Sequence, residues 1–186
     1  MGEPEYSHAE VVYHANTKEN VKKFIKGSLI ISHHPNDDYW LGKGMYFWDN
    51  KDNALFWNKR RQDNKCTAIV KSQLMFHDSD MIDLLDRSTL LKLKEQAQKI
   101  CNILNLEFKQ YKNKPGAILN LVSNYLEMSD KETFKLVRGA GYYNRQPTYS
   151  LVVNDDGTNR SHLTGKVKLI YCVRDNSLLS LRQVDR

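Results

Sequence analysis

The chain has 186 residues, of which 40% are hydrophobic and 10% aromatic, with 28 basic against 22 acidic side chains. Three Trp, ten Tyr and six Phe can fill a sizeable core, which excludes intrinsic disorder, and the length fits one domain, 1–186. The net charge of +6 tolerates a polyanionic partner without requiring one. No apolar run reaches the roughly 18 residues of a membrane span. MGEPEYSHAE carries no secretory h-region, and Tyr6 stands where a myristoylation signal needs Ser or Thr. Cys66, Cys101 and Cys172 are odd in number, far apart and without metal-ligand spacing, so reduced thiols in a cytoplasmic protein are expected.

In chain order, HAEVVYH (8–14) reads as a strand. Thr17 is a plausible N-cap for a helix in which Val21, Phe24 and Ile25 recur at i, i+3 and i+4 before the Gly27 stop. SLIIS (28–32) reads as a second short strand, and 33–41 is turn-rich. GKGMYFWDN is a strand flanked by glycines, and Asp49 or Asn50 can cap a helix over KDNALFWNKRRQ. CTAIVKSQLMF is the clearest strand. Residues 80–128 are mostly helical in pattern, with an apolar face at 90, 91, 93, 97, 100, 101, 103 and 104, then a second helix over GAILNLVSNYLEM. A third short helix is expected from Ser129 or Asp130. VRGAGYYNRQPTYSLVV is strand-like, NDDGTNRSHLTG is a long polar loop, and VKLIYCVR is the last strand. The order predicts an α+β fold with a helical insertion at about 80–130.

Two signals carry chemistry. Gly42-Lys43-Gly44-Met45-Tyr46-Phe47-Trp48 lets the backbone turn sharply and approach a ligand, then presents Tyr46 and Trp48 on one strand face. The following helix brings Phe56 back, so two aromatic planes can sandwich a flat ring. The other signal is Tyr13-His14-Ala15-Asn16, a histidine at a strand end where a ligand crevice opens.

Together these segments resemble the ADP-ribosyltransferase superfamily, the group of poly(ADP-ribose) polymerases and diphtheria toxin. Tyr13-His14-Ala15-Asn16, Ser32, Leu41 to Phe47 and Asn53-Ala54-Leu55-Phe56 follow the family's order, and Ile170 to Asn176 looks like the closing strand of small bacterial members. The resemblance covers 11–76 well and 135–180 weakly. It implies a split, mostly antiparallel sheet pair holding NAD as co-substrate. It further implies that His14 bonds a ribose of NAD, that the Ala15 backbone holds the nicotinamide carboxamide, and that Tyr46 and Phe56 cover the two ring faces. Asn53 stands where a Ser or Thr binds the carboxamide oxygen. Asn16, Ser32 and Gly44 complete the implied NAD contacts. The family's late-strand Glu is missing: Gly165, Lys166 or Lys168 falls there, and no Glu follows Glu132. Asp155 and Asp156 are the nearest acids and are expected to act in its place. Small size and composition look like a bacterial toxin of the toxin–antitoxin or phage-defence kind, restrained by an antitoxin or chaperone, with no membrane role.

Nucleic acid, RNA first, is the expected acceptor over protein. The grounds are the net charge, Lys59-Arg60-Arg61, and Arg138 and Arg145 flanking Tyr142-Tyr143. The rivals are a fold member that binds NAD or ADP-ribose without turnover, and a plain nucleic-acid-binding domain. His33-His34 has no third ligand at a metal-site spacing.

Overall fold

The computed structural model describes residues 6–32, 34–60, 67–143 and 167–185. It is α+β, with seven strands in one sheet and four helices among the described residues. The strands are β1 (His8–Thr17), β2 (Met45–Trp48), β3 (Thr67–Phe76), β4 (Met81–Asp83), β5 (Leu136–Tyr142), β6 (Val167–Val173) and β7 (Leu179–Asp185). The helices are α1 (Lys18–Ile25), α2 (Lys51–Arg60), α3 (Arg87–Ile103) and α4 (Pro115–Met128). The sheet order is β4-β5-β6-β2-β1-β3-β7, and every pair is antiparallel except β4 with β5. A parallel pair needs a long crossover, and α3 and α4 supply it.

Strand alternation divides the core between two faces. Val12, Met45, Phe47, Val70, Leu74, Tyr171 and Val173 point to one face, which Val21 and Phe24 of α1 cover. Ala15, Trp48, Ile69, Val137, Ile170 and Cys172 point to the other, against Ala54 of α2, Leu93, Ala97 and Ile100 of α3, and Leu119 and Val122 of α4. The Thr17 side chain accepts the Asn20 N–H and starts α1 as expected, and Gly27 ends it at φ +103°. Asp86 caps α3 by accepting the Ser88 and Thr89 N–H groups.

Several expected elements differ. Residues 28–32 form no strand; towards β2 the Ser32 N–H donates to the Gly44 carbonyl at 2.9 Å and the Ile30 N–H to Met45 Sδ at 3.4 Å, and apolar content without a ladder leaves an irregular segment. No helix starts at Ser129 or Asp130. Ser129 closes α4, and Asp130 turns the chain at φ +51°. β4 lies inside the segment expected to be helical, and VKLIYCVR is not the last strand, because β7 follows and pairs with β3. The expected strand from 137 onwards ends as β5 at Tyr142, Tyr143 follows past the strand's end, and 144–153 lie outside the described residues. In place of two separate sheets there is one strand order, whose β1–β2 junction is a single pair, Tyr13 with Trp48.

Candidate functional site

The site begins where that junction fails. β1 runs beside β3 in register over ten pairs, but beside β2 it pairs only at Tyr13. Beyond Tyr13 the two strands separate, and a cavity of about 600 Å³ opens between them. The segment 30–32, the loop 34–40, Trp57 of α2 and Tyr143 after β5 close its walls.

A side-chain bond takes over where the ladder stops: His14 Nδ1 lies 2.6 Å from the Tyr46 carbonyl oxygen. A carbonyl only accepts, so Nδ1 carries the hydrogen. The other ring nitrogen follows from the amide next to it. The Thr17 N–H donates to Asn16 Oδ1 (2.8 Å), as does Asn20 Nδ2 (3.0 Å), which turns Asn16 Nδ2 towards His14 Nε2 at 3.0 Å. Nε2 is therefore the acceptor, and it faces the cavity side of a neutral ring held from both ends.

Tyr46 is fixed through its hydroxyl, which donates to the Gly42 carbonyl (2.6 Å) and accepts the Leu41 N–H (3.2 Å). Burial pushes this phenol far above its ordinary value, so it stays protonated. Its ring lines the cavity and its oxygen belongs to the loop.

The opposite wall is aromatic. Trp40, Trp48, Trp57 and Tyr143 line the cavity. Trp40 stacks on Tyr143 at 6.2 Å between centroids and meets Trp57 edge-on at 6.4 Å, while Trp48 lies 5.8 Å from Trp57 and 6.1 Å from Tyr143. The chain's three tryptophans all lie here. The polar lining is His14, Asn16, Asn20, Ser32, His34, Asn36 and Asp37, with the aliphatic Ile30, Ile31 and Ile170 among them. Asp37 is the one carboxylate among the described lining residues. Its Oδ2 accepts the His34 N–H at 2.9 Å. The site therefore has a flat, π-rich end and an end of hydrogen-bonding groups with one negative charge.

Of the residues singled out in the sequence, His14, Ala15, Asn16, Ser32 and Tyr46 converge on this cavity. Three others stand behind it. Gly44 lies against Cys172, so close that a Cβ would overlap the sulfur. Asn53 is 2% exposed and donates to Asp49 Oδ1 at 2.7 Å, which secures the start of α2. Phe56 meets Tyr143 edge-on at 5.9 Å and is outside the lining, where Trp57 stands instead. Asp155, Asp156 and Arg145 lie outside the described residues. Arg138 does not reach for a ligand: it forks onto Asp83 (3.2 and 2.6 Å) across β4 and β5. Lys59 is exposed at the end of α2. His34 Nδ1 accepts the Asn36 N–H at 3.1 Å, and no cluster of three or more His, Cys, Asp or Glu among the described residues is arranged to hold a metal. Burial pushes the Cys172 thiol up to about 12, which makes it inert.

The aromatic wall and Asp37 had no local signature. The wall's rings come from a loop, a strand, a helix and a strand end; only Trp48, two residues past Tyr46 on the same strand face, is read from the sequence.

No family model matches the chain. It is similar to an uncharacterized protein, MJ0359, of Methanocaldococcus jannaschii, with 24% identity over 135 residues that cover 68% of this chain and 62% of that protein. The chain thus spans less than two thirds of that relative's length. No helix among the described residues is long and apolar enough to cross a membrane.

Proposed function

We propose that this protein is an NAD-dependent ADP-ribosyltransferase of the ADP-ribosyltransferase fold, with NAD as co-substrate in the cavity at the β1–β2 junction. The carrying observation is that His14, Ala15, Asn16, Ser32 and Tyr46, drawn from three separate segments, line one cavity with three tryptophans. Its volume of about 600 Å³ falls in the usual range of small-molecule sites. The aromatic end suits a nicotinamide ring, and the polar end suits ribose hydroxyls.

NAD supplies a glycosidic bond at C1′; nicotinamide leaves with the bonding pair, and positive charge develops on the ribose. The chain's residues then have separate tasks. Tyr46, held by Gly42 and Leu41, offers a fixed ring face. A ribose hydroxyl displaces Asn16 Nδ2 as the donor to His14 Nε2, whose tautomer is set by the Tyr46 carbonyl. The Trp wall excludes water. A carboxylate offsets the developing charge: Asp37 lines the cavity, and Asp155 and Asp156 remain the sequence's candidates. The acceptor's lone pair forms the new bond to C1′.

The proposed acceptor is nucleic acid, RNA first. Support comes from the net +6 charge, exposed Lys59, and Tyr142, which is 64% exposed beside the cavity-lining Tyr143 and can stack on a splayed base. Arg138 adds nothing here, being paired with Asp83. An activity that consumes NAD and marks RNA requires restraint in the cell, as by an antitoxin or chaperone. Binding of NAD or ADP-ribose without turnover is favoured by one observation: β6 opens on Val167-Lys168, with no carboxylate.

Incubation of cell extract with labelled NAD and the purified protein, followed by separate nuclease and protease digestion, tests both parts. Label lost with nuclease and free nicotinamide are expected. Label lost only with protease replaces RNA by a protein target. No label and no nicotinamide leave a binding module.

A further inference from the structure

The loop that carries Tyr46's anchor is held from behind by the helical insertion. We propose that Asn120 of α4 and Arg174, one residue past β6, are positioning residues that set the place of Tyr46 in the cavity without touching it. As far as the ligand is concerned this rests on the function proposed above; the mechanical part does not.

The geometry forms a short chain of bonds. Asn120 Oδ1 accepts the Lys43 N–H at 2.9 Å and Arg174 Nη2 at 3.1 Å. The same Nη2 lies 3.3 Å from the Leu41 carbonyl oxygen, and the guanidinium packs over the Phe134 ring, 4.6 Å from its centroid. Leu41 and Gly42 in turn hold the Tyr46 hydroxyl. Nothing intervenes between helix and loop: Gly42 has φ +76°, and a Cβ there would come within 2.5 Å of Asn120 Oδ1. Gly116, one turn earlier on α4, is as tightly packed on the Asp37 carbonyl and the Gly42 nitrogen. A single carbonyl oxygen thus uses both lone pairs to fix two donors, one in the loop and one in a half-buried guanidinium. Removing it leaves the Lys43 N–H without this partner and Arg174 Nη2 with the Leu41 carbonyl alone, and the loop must shift to rehydrate them. The insertion, far from β1 in sequence, therefore determines where the aromatic ring opposite His14 lies.

The test uses Asn120→Leu, Arg174→Lys and the conservative Asn120→Asp in the full chain, each checked for wild-type thermal unfolding. Amide hydrogen exchange reads the mechanical part. Leu41 and Lys43 should exchange about tenfold faster in Asn120→Leu, and Leu41 should do so in Arg174→Lys, while Val70 in the β1–β3 ladder keeps its rate. Asn120→Asp, which still accepts both donors, should restore protection. Unchanged Leu41 exchange in the first two variants overturns the proposal; should Asn120→Leu fail to fold, Arg174→Lys alone decides. The ligand part is read by KM for NAD, expected to rise about tenfold with kcat within about twofold, because a displaced Tyr46 weakens binding in ground and transition states alike. Faster exchange with unaltered KM removes the link to the ligand. Absence of nicotinamide release by the wild type instead refutes the proposed reaction and leaves the exchange result standing.

Discussion

The two sides of β1 are built differently. Towards β3 it forms a ladder of ten residue pairs, with Val70, Leu74 and Phe76 buried and Ser72 tied by its hydroxyl to the Ser180 carbonyl at 2.6 Å. Towards β2 it forms one pair, then hands over to a histidine, an amide and a cavity. The first side gains stability from repetition, so any one residue there matters through packing. The second side depends on a few specific bonds, so a single side chain can change what the cavity binds. Backbone pairing is given up at the place where the sequence concentrates His14, Asn16 and Tyr46, as expected for a site and not for a core.

Substitutions on the cavity side should affect activity far more than stability. The largest expected effects are for Tyr46→Ala and His14→Ala. Loss of the stacking plane should cost about 1–3 kcal/mol, or roughly ten- to a hundredfold in NAD affinity. His14→Ala removes both the hydroxyl acceptor and the bond bridging the junction, and nicotinamide release should fall at least as far. Wild-type turnover by both folded variants, followed as nicotinamide, would take the site away from this cavity.

The carboxylate comes next. Asp37→Asn keeps an oxygen for the His34 N–H but removes the charge, and kcat should fall about a hundredfold with KM little changed. Asp155→Asn and Asp156→Asn measured beside it decide between the two locations. A full effect at either loop position and none at Asp37 returns the role to the loop.

Behind the cavity, where β2 meets β6, stability is affected instead. Gly44→Ala forces a methyl into the Cys172 sulfur between β2 and β6, and should destabilise by about 1–3 kcal/mol in denaturant unfolding. A melt equal to wild type would show that β2 can move away from β6 freely.

The smallest effect concerns acid. Arg138 beside Asp83 holds that carboxyl below its usual range, so the native pair stabilises above the unfolded carboxylate's value of about 3.9 and loses its effect as pH falls through the lower native one. Asp83→Asn should cost about 1 kcal/mol at neutral pH and nothing at the acid end, because the pair is already broken there. A constant difference across an unfolding series from pH 2 to 7 would mean that the pair contributes by shape alone.

Much of the fold was legible because its signals are local. Thr17 before Val21 and Phe24, the period of α3, and the apolar run of β3 each lie within a single contiguous segment. What was missed depends on distant partners. β4 is three residues long, and becomes a strand only because β5 returns beside it. β7 alternates weakly, carries Leu181 at φ +47°, and exists through its pairing with β3. SLIIS has strand composition but only the Ser32 backbone bond and an Ile30 contact to the Met45 sulfur towards β2, short of a ladder. The same holds for the site: His14 and Tyr46 stand in compact motifs, whereas Trp40, Trp57, Tyr143 and Asp37 become neighbours only after folding.

Since the chain's three tryptophans all line the cavity, their emission reports on it without background from elsewhere. The most direct measurement is a titration of the purified protein with NAD, followed by tryptophan fluorescence excited at a wavelength the dinucleotide does not absorb. A saturable change in emission, strongly weakened by His14→Ala, is the expected result. Emission that stays constant through saturating concentrations, or that changes equally in wild type and His14→Ala, would contradict the placement of NAD at the β1–β2 junction.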